Sequence, residues 1–159
     1  FSNSLQVQAD WEVLPRLDLR LAYRWFDVRT TYSEQLLEKP LVSAHRAFTN
    51  LAYATENDWN FDITLNWQGS RRLPDTGSNP AGYRLPGRSP DFYLVNWQVS
   101  KAWGNTEVYL GMENAFNFRQ ESPILASSEP FGPYFDSTLV WGPVFGRNTY
   151  LGLRYRIGR

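Results

Sequence analysis

The sequence predicts an all-β fold: an antiparallel up-and-down transmembrane β-barrel segment of about seven strands. Three observations predict it. Seven stretches alternate apolar and polar residues, which puts each class on its own face of a strand. Trp and Tyr stand at one or both ends of several apolar rows. The links between the stretches alternate short and long. A strand with lipid outside and water inside needs this two-faced character.

The first strand, Ser4 to Trp11, sets Leu5, Val7, Ala9 and Trp11 against Ser4, Gln6, Gln8 and Asp10. After a Leu14-Pro15 turn, the second sets Leu17, Leu19, Leu21, Tyr23 and Trp25 against Asp18, Arg20, Ala22 and Arg24. The third, about Arg46 to Thr55, alternates least clearly, with Phe48 on one parity and Leu51 and Tyr53 on the other. Its neighbours carry its assignment. The fourth is the cleanest: Trp59, Phe61, Ile63, Leu65 and Trp67 share one face, and Asn60, Asp62, Thr64, Asn66 and Gln68 the other. The fifth has Tyr93, Val95, Trp97, Val99 and Trp103 opposite Asn96, Gln98 and Ser100. Lys101 joins its apolar row, where the stem can snorkel toward an interface. The sixth, Thr106 to Asn114, runs through Val108, Leu110 and Met112. The seventh, Asn148 to Ile157, runs through Leu151, Leu153, Tyr155 and Ile157, with Arg154 and Arg156 on its polar face.

Glu12 to Arg16, Glu56 to Asp58 and Gly104-Asn105 are the short links; Thr30 to His45, Gly69 to Pro90 and Ala115 to Arg147 are the long ones. Outer-membrane barrels pair short periplasmic turns with long extracellular loops, so strands two, four and six are expected to run outward. The aromatic residues test this independently. Trp11, Trp59 and Trp103 fall at the short-turn end, and Trp25, Trp67 and Tyr93 at the long-loop end, as two girdles would. Trp59 to Trp67 spans about 27 Å along a strand. A tilt near 40° makes that about 20 Å, and gives about 26 Å for Tyr93 to Trp103, against an apolar band of about 25 Å. A soluble sandwich or barrel would bury the Trp residues in a core, and explains less well why they sit at row ends.

The composition fits. Sixteen acidic and sixteen basic residues cancel, so charge suggests no nucleic acid partner. Aromatic residues make up 16% of the 159-residue chain, yet its mean hydropathy is that of a water-soluble protein, as expected when every second residue meets lipid. No apolar run approaches the roughly 18 residues of a spanning helix. The absence of Cys excludes a disulfide framework and a thiolate metal site. No signal sequence opens the chain at Phe1, which leads to the expectation that it is removed or lies upstream of a fragment.

No catalytic constellation stands out, so neither an enzyme, a cofactor nor a metal site is expected. The single His45 lacks an acidic neighbour at useful spacing and is expected to take a surface or loop-packing role. Asp75-Thr76-Gly77-Ser78-Asn79-Pro80 lacks the lysine and helix of a phosphate loop and reads as a turn. Binding candidates fall in the second long loop, because loops carry specificity. There Arg71, Arg72, Asp75, Tyr83 and Arg84 supply cations and an aromatic ring that could meet an anionic metal chelate, or form a solvated loop held by local ion pairs. The third long loop, from Pro130-Phe131-Gly132-Pro133-Tyr134-Phe135 to Trp141-Gly142-Pro143-Val144-Phe145, is expected to fold over the barrel mouth or form a β-hairpin extension, with ligand contact as the further option.

Val108-Tyr109-Leu110-Gly111-Met112-Glu113-Asn114-Ala115-Phe116-Asn117 resembles the penultimate strand of TonB-dependent outer-membrane receptors, which often ends in an Asn-Leu-Phe-Asn-like sequence. Gly146-Arg147-Asn148-Thr149-Tyr150-Leu151-Gly152-Leu153-Arg154-Tyr155-Arg156-Ile157 looks like that family's last strand. Pro40-Leu41-Val42-Ser43-Ala44-His45-Arg46 before Asn50-Leu51-Ala52-Tyr53 is similar to a recurrent loop-to-strand entry. The resemblance implies that residues 1–159 are the C-terminal part of a barrel of about 22 strands around a plug, with the plug domain and TonB-engaging segment outside this chain. Asn60, Asp62, Asn66, Asn96, Gln98, Arg154 and Arg156 would then face the lumen and the plug. The partners implied are outer-membrane lipid of a Gram-negative bacterium, the remaining strands and plug of the same receptor, the TonB complex and a small metal chelate. Family members commonly end on Phe or Trp; Ile157-Gly158-Arg159 departs from that, and suggests an altered or missing end.

The implied function is uptake of a scarce solute such as a ferric siderophore, cobalamin or another metal chelate. A free-standing small outer-membrane barrel in adhesion or structure, and a soluble lipocalin-like carrier with apolar faces inward, are the alternatives. Seven strands leave edges whose backbone groups would be unpaired in lipid, so the chain is not expected to close or insert alone. The direction in which the faces of Trp59 to Gln68 point discriminates between these readings.

Overall fold

A computed structural model describes residues 1–157. Gly158 and Arg159, part of the chain end compared above, lie outside the described residues. Among the described residues eight strands form: β1 (Ser2–Leu14), β2 (Leu17–Tyr32), β3 (Gln35–Glu38), β4 (His45–Ala54), β5 (Trp59–Gln68), β6 (Phe92–Trp103), β7 (Thr106–Glu113) and β8 (Asn148–Tyr155). Seven make one antiparallel meander in the order β1-β2-β4-β5-β6-β7-β8, and β3 pairs only with β2. Every strand of the meander therefore lies beside its chain neighbour, and β1 and β8 are the free edges among the described residues.

The turns follow from their residues. Trp103 pairs with Thr106 across Gly104-Asn105. Gly104 has φ +56, as the first central position of a tight hairpin turn requires. Between β1 and β2, Pro15 fixes φ near −65° and Arg16 takes φ 68, the pattern of a type II turn. The Arg16 backbone N–H donates to Glu12 Oε1 at 3.1 Å.

The register carries the apolar row from strand to strand. Leu5 faces Trp25 and Val7 faces Tyr23 on β1 and β2. Leu19 faces Leu51 and Leu17 faces Tyr53 on β2 and β4. Leu51 meets Ile63 and Tyr53 meets Phe61, and Ile63 meets Trp97, Leu65 meets Val95 and Trp67 meets Tyr93. Val99 with Leu110, then Leu110 with Leu151, complete the row. Such pairs contribute roughly 0.2–1 kcal/mol each. They resolve the third predicted strand: Leu51 and Tyr53 belong to the apolar face, and Phe48 stands on the polar one, opposite Ala22 and Asn66.

The apolar face is the open one. In β5, Phe61, Ile63 and Leu65 are exposed while Asp62, Thr64 and Asn66 between them are partly sheltered. Among the described residues the buried apolar side chains are Leu73, Phe92, Val95, Ala126 and Leu139, of which all but Val95 and Phe92 belong to the long loops. A soluble domain buries its sheet face against a second layer. Among the described residues this sheet has none, and its apolar rows are exposed where a lipocalin-like carrier would turn them into a core.

Four expectations need correction. The segment Thr30 to His45 is not irregular throughout: β2 continues to Tyr32, turns at Ser33-Glu34, and returns as β3. Both turn residues have positive φ, 45 and 67, a conformation usually marked by Asn or Gly, so the sequence hid this hairpin. The last strand stops at Tyr155, leaving Arg156 beyond it, where its backbone N–H donates to the Asn105 carbonyl at 2.8 Å. The sixth predicted strand ends at Glu113, because Asn114 has φ 50 and cannot continue a strand. The first is longer than expected at both ends.

Candidate functional site

Three surfaces are available: the open apolar face, the sheltered polar face and the loop end. On the open face, Trp11, Trp59 and Trp103 stand near the short turns, and Trp25, Trp67 and Tyr93 near the long loops. Trp11, Tyr93 and Trp103 are at least half exposed. Lys101 lies between the rings of Trp59 and Trp103, 5.7 Å from each centroid, and its ammonium reaches the Asn57 carbonyl in the short turn. At the other end, Trp67 Nε1 donates to Asp91 Oδ2 at 3.1 Å. His45 pairs through Nδ1 with the Tyr23 hydroxyl at 2.6 Å. Apolar bodies with polar tips aimed at the strand ends suit a boundary between oil and water.

The sheltered face is a set of short polar networks. Asn50 Nδ2 donates to Asp62 Oδ2 at 2.8 Å and to Thr64 Oγ1 at 2.9 Å. The Asn114 backbone N–H donates to Asn96 Oδ1 at 2.9 Å, the Tyr150 hydroxyl to Gln98 Oε1 at 3.1 Å, and Arg154 pairs with Glu107 at 2.9 Å. Thus Asp62, Asn96, Gln98 and Arg154 each take part in a network on this face, where Asn60 and Asn66 share the same parity. Tyr109 lies over Gly152 and Tyr150 over Gly111, two reciprocal pairs in which a Cβ on either glycine would collide with the ring. The two rings meet edge to face at 6.2 Å.

The loop end is built, not loose. Phe92, Phe118 and Trp141 form an aromatic cluster, with Phe92 and Phe118 stacked at 4.7 Å. Buried Gln120 braces the two arms of the third loop: its Oε1 accepts from the backbone of Trp141 at 2.7 Å and Gly142 at 3.0 Å, and its Nε2 donates to the Leu139 carbonyl. Asn114 and Asn117, both at positive φ, clamp the start of that loop. Asn114 Nδ2 donates to the Phe118 carbonyl at 2.7 Å, and Asn117 Oδ1 accepts from the Arg147 backbone at 2.9 Å. The third loop also touches the second through Tyr83 and Tyr134, stacked at 5.4 Å.

The five loop candidates find separate partners. Arg71 is buried beside Phe92, its guanidinium carbon 5.5 Å from the ring centroid. Arg72 donates to the Glu38 carbonyl at 3.1 Å, Asp75 Oδ1 accepts from the Gly77 backbone at 2.8 Å, Arg84 Nε donates to the Asn79 carbonyl at 2.7 Å, and Tyr83 stacks as above. These contacts hold the loop and do not draw the five side chains to one point. Burial first, then repulsion from Arg46, pulls the Arg71 guanidinium below its usual range. Arg24, Arg46, Asn50, Asn114 and Gln120 are not among the site residues expected from the sequence. A signal was present for Asn114 in the Asn114-Ala115-Phe116-Asn117 motif, whereas Gln120 lies in unpatterned loop.

The sequence matches no protein-family model and no curated protein. Among solved structures, the fold is similar to that of the ferric enterobactin receptor PfeA of Pseudomonas aeruginosa, in a mutant form, with a TM-score of 0.64 and 13% identity over 96% of this chain. Two variants of the FrpB iron transporter of Neisseria meningitidis have TM-scores of 0.62 and 0.60 at 13% and 12% identity, each over 97% of this chain. The likeness is one of fold. The chain spans 22% of the length of the first and 23% of the other two.

Proposed function

We propose that the chain is the C-terminal barrel portion of a TonB-dependent outer-membrane receptor that takes up a scarce solute such as a ferric siderophore, cobalamin or another metal chelate. The observation that carries this reading is a two-faced meander whose short turns and long loops fall at opposite ends, with a fold similar to part of a ferric enterobactin receptor and of an iron transporter. The apolar face then meets lipid, with Trp11, Trp59 and Trp103 in one girdle and Trp25, Trp67 and Tyr93 in the other. The polar face meets the lumen, where Asn60, Asp62, Asn66, Asn96, Gln98 and Arg154 line the space for a plug supplied outside this chain. The free edges β1 and β8 pair with the remaining strands, because unpaired backbone groups in lipid cost several kcal/mol each. The loop end, including Arg71, Arg72, Asp75, Tyr83 and Arg84, receives the ligand. The work is transport, driven through TonB.

Uptake by cells carrying the intact protein tests this. Accumulation of radiolabelled ferric chelates and cobalamin is measured with the gene present, deleted, or present in a background lacking TonB. At least one solute is expected to enter only when both are present; uptake indifferent to TonB would overturn the receptor reading.

A further inference from the structure

Ionic side chains of the sheltered face are paired where an acid is at hand, as Arg20 is with Asp10 and Arg154 with Glu107. Three arginines toward the loop end differ. Arg24 and Arg46 stand directly opposite each other on β2 and β4, and Gln68 is opposite Arg46 on β5. Like charges so placed are destabilising. Neither arginine, nor Arg71, belongs to any ion pair among the described residues. Arg46 Nε, Arg71 Nε and Arg71 Nη2 are buried with no hydrogen-bond partner, although a buried guanidinium normally has one. Arg71 is 8% exposed.

Arg24 and Arg46, though not Arg71, border a cavity. Gln6, Arg24, Arg46, Phe48, Asn66 and Gln68 line a groove of about 200 Å³ on the sheltered face, and its lining includes no acidic residue. Arg24 is steadied by stacking on Phe26, 3.8 Å from the ring centroid. With its Nε enclosed, Arg46 has its terminal nitrogens left to meet a ligand. Two forked guanidinium groups with three amides make a set of donors suited to a planar oxyanion. Arg71, held near Arg46 and largely desolvated, adds positive potential that water screens poorly.

We propose that this groove is a carboxylate-binding site, with Arg24 and Arg46 as the direct donors, the amides of Gln6, Asn66 and Gln68 as orienting donors, and Arg71 as a supporting charge. The carboxylate comes either from an acidic side chain of the same protein enclosed by the complete barrel or from a diffusible polycarboxylate solute. The site rests on the barrel reading above, since it uses the sheltered face as a lumen wall.

Thermal unfolding of the full-length protein in detergent, titrated with citrate at constant ionic strength, separates the two sources. For a diffusible carboxylate, citrate raises the wild-type Tm saturably, and Arg46→Gln weakens the apparent affinity about tenfold or more; Arg16→Gln, at a short turn away from the groove and the loop end, leaves it unchanged. For an internal carboxylate, citrate has no effect, Arg46→Gln and Arg24→Gln each lower Tm, and added salt lowers the wild-type Tm more than theirs. Citrate without effect, together with variants as stable as wild type or more so, overturns the site, because the arginines then only repel each other. Heat-modifiable migration of the wild type in SDS gels reports the barrel separately: it persists if only the groove is wrong and is absent if the barrel reading fails.

Discussion

At the scale of single residues, the sheltered face of β7 and β8 depends on what two glycines lack. Tyr109 occupies the space over Gly152, and Tyr150 that over Gly111, where its hydroxyl reaches Gln98. Aromatic rings laid over strand glycines cover backbone that would otherwise be weak and open. Gly111→Ala is therefore expected to displace Tyr150 and cost about 1–3 kcal/mol, the range for an overpacked site. Urea unfolding of the intact protein in lipid vesicles checks this, and an unchanged midpoint would refute it. Asn114 and Asn117 act at the same scale, because each tolerates positive φ better than most residues and offers a side-chain oxygen to bind backbone nearby. The loop-end arginines are individually engaged, so Arg72 and Arg84 hold loop geometry. Arg71 differs from both by being buried without a bond to its enclosed nitrogens.

At the scale of the element, β5 is the reference strand. At its centre Phe61, Ile63 and Leu65 are exposed while Asp62, Thr64 and Asn66 are partly sheltered, so the two rows differ in exposure as well as in sequence. Ile63→Arg puts a cation at the middle of the apolar row and is expected to cost about 2–4 kcal/mol in a bilayer. Thr64→Arg, one residue on, faces the polar side and loses chiefly the hydrogen bond from Asn50, about 1 kcal/mol. Folding yield into lipid vesicles distinguishes them, and equal costs would contradict the two-sided reading. The β2–β3 hairpin extends the wall into the loop region, where Glu38 pairs with Arg88 of the second loop at 2.6 Å and accepts at its carbonyl from Arg72. The long loops are thereby joined to one another as well as to their own strands.

At the scale of the whole molecule, the described residues form a meander with two free edges and one exposed apolar face, which on the proposed reading needs the remaining strands to settle in a membrane. If the chain is part of a larger barrel as proposed, these 159 residues expressed alone are expected to give no heat-modifiable species in SDS gels, whereas a receptor that contains them does; a heat-modifiable band from the 159 residues alone would mean that their edges find partners unaided. Much of this was legible in the sequence. Trp59 to Gln68 had its bounds right to the residue, and the alternating link lengths gave the order of the meander, because period-two patterning and turn chemistry are local. The sequence was silent on the Ser33-Glu34 turn, whose residues carry no turn signature, and on the side to which Phe48 belongs, which only pairing with Ala22 and Asn66 decides. It also could not bring Gln6, Arg24, Arg46 and Gln68 to one groove, since they come from four strands whose register places them side by side. What the sequence determined by itself was a sheet with one face for oil and one for water, since each strand records its own two environments. What tertiary structure alone decided was which charges meet, because that depends on the alignment of separate strands and on loops that fold against one another.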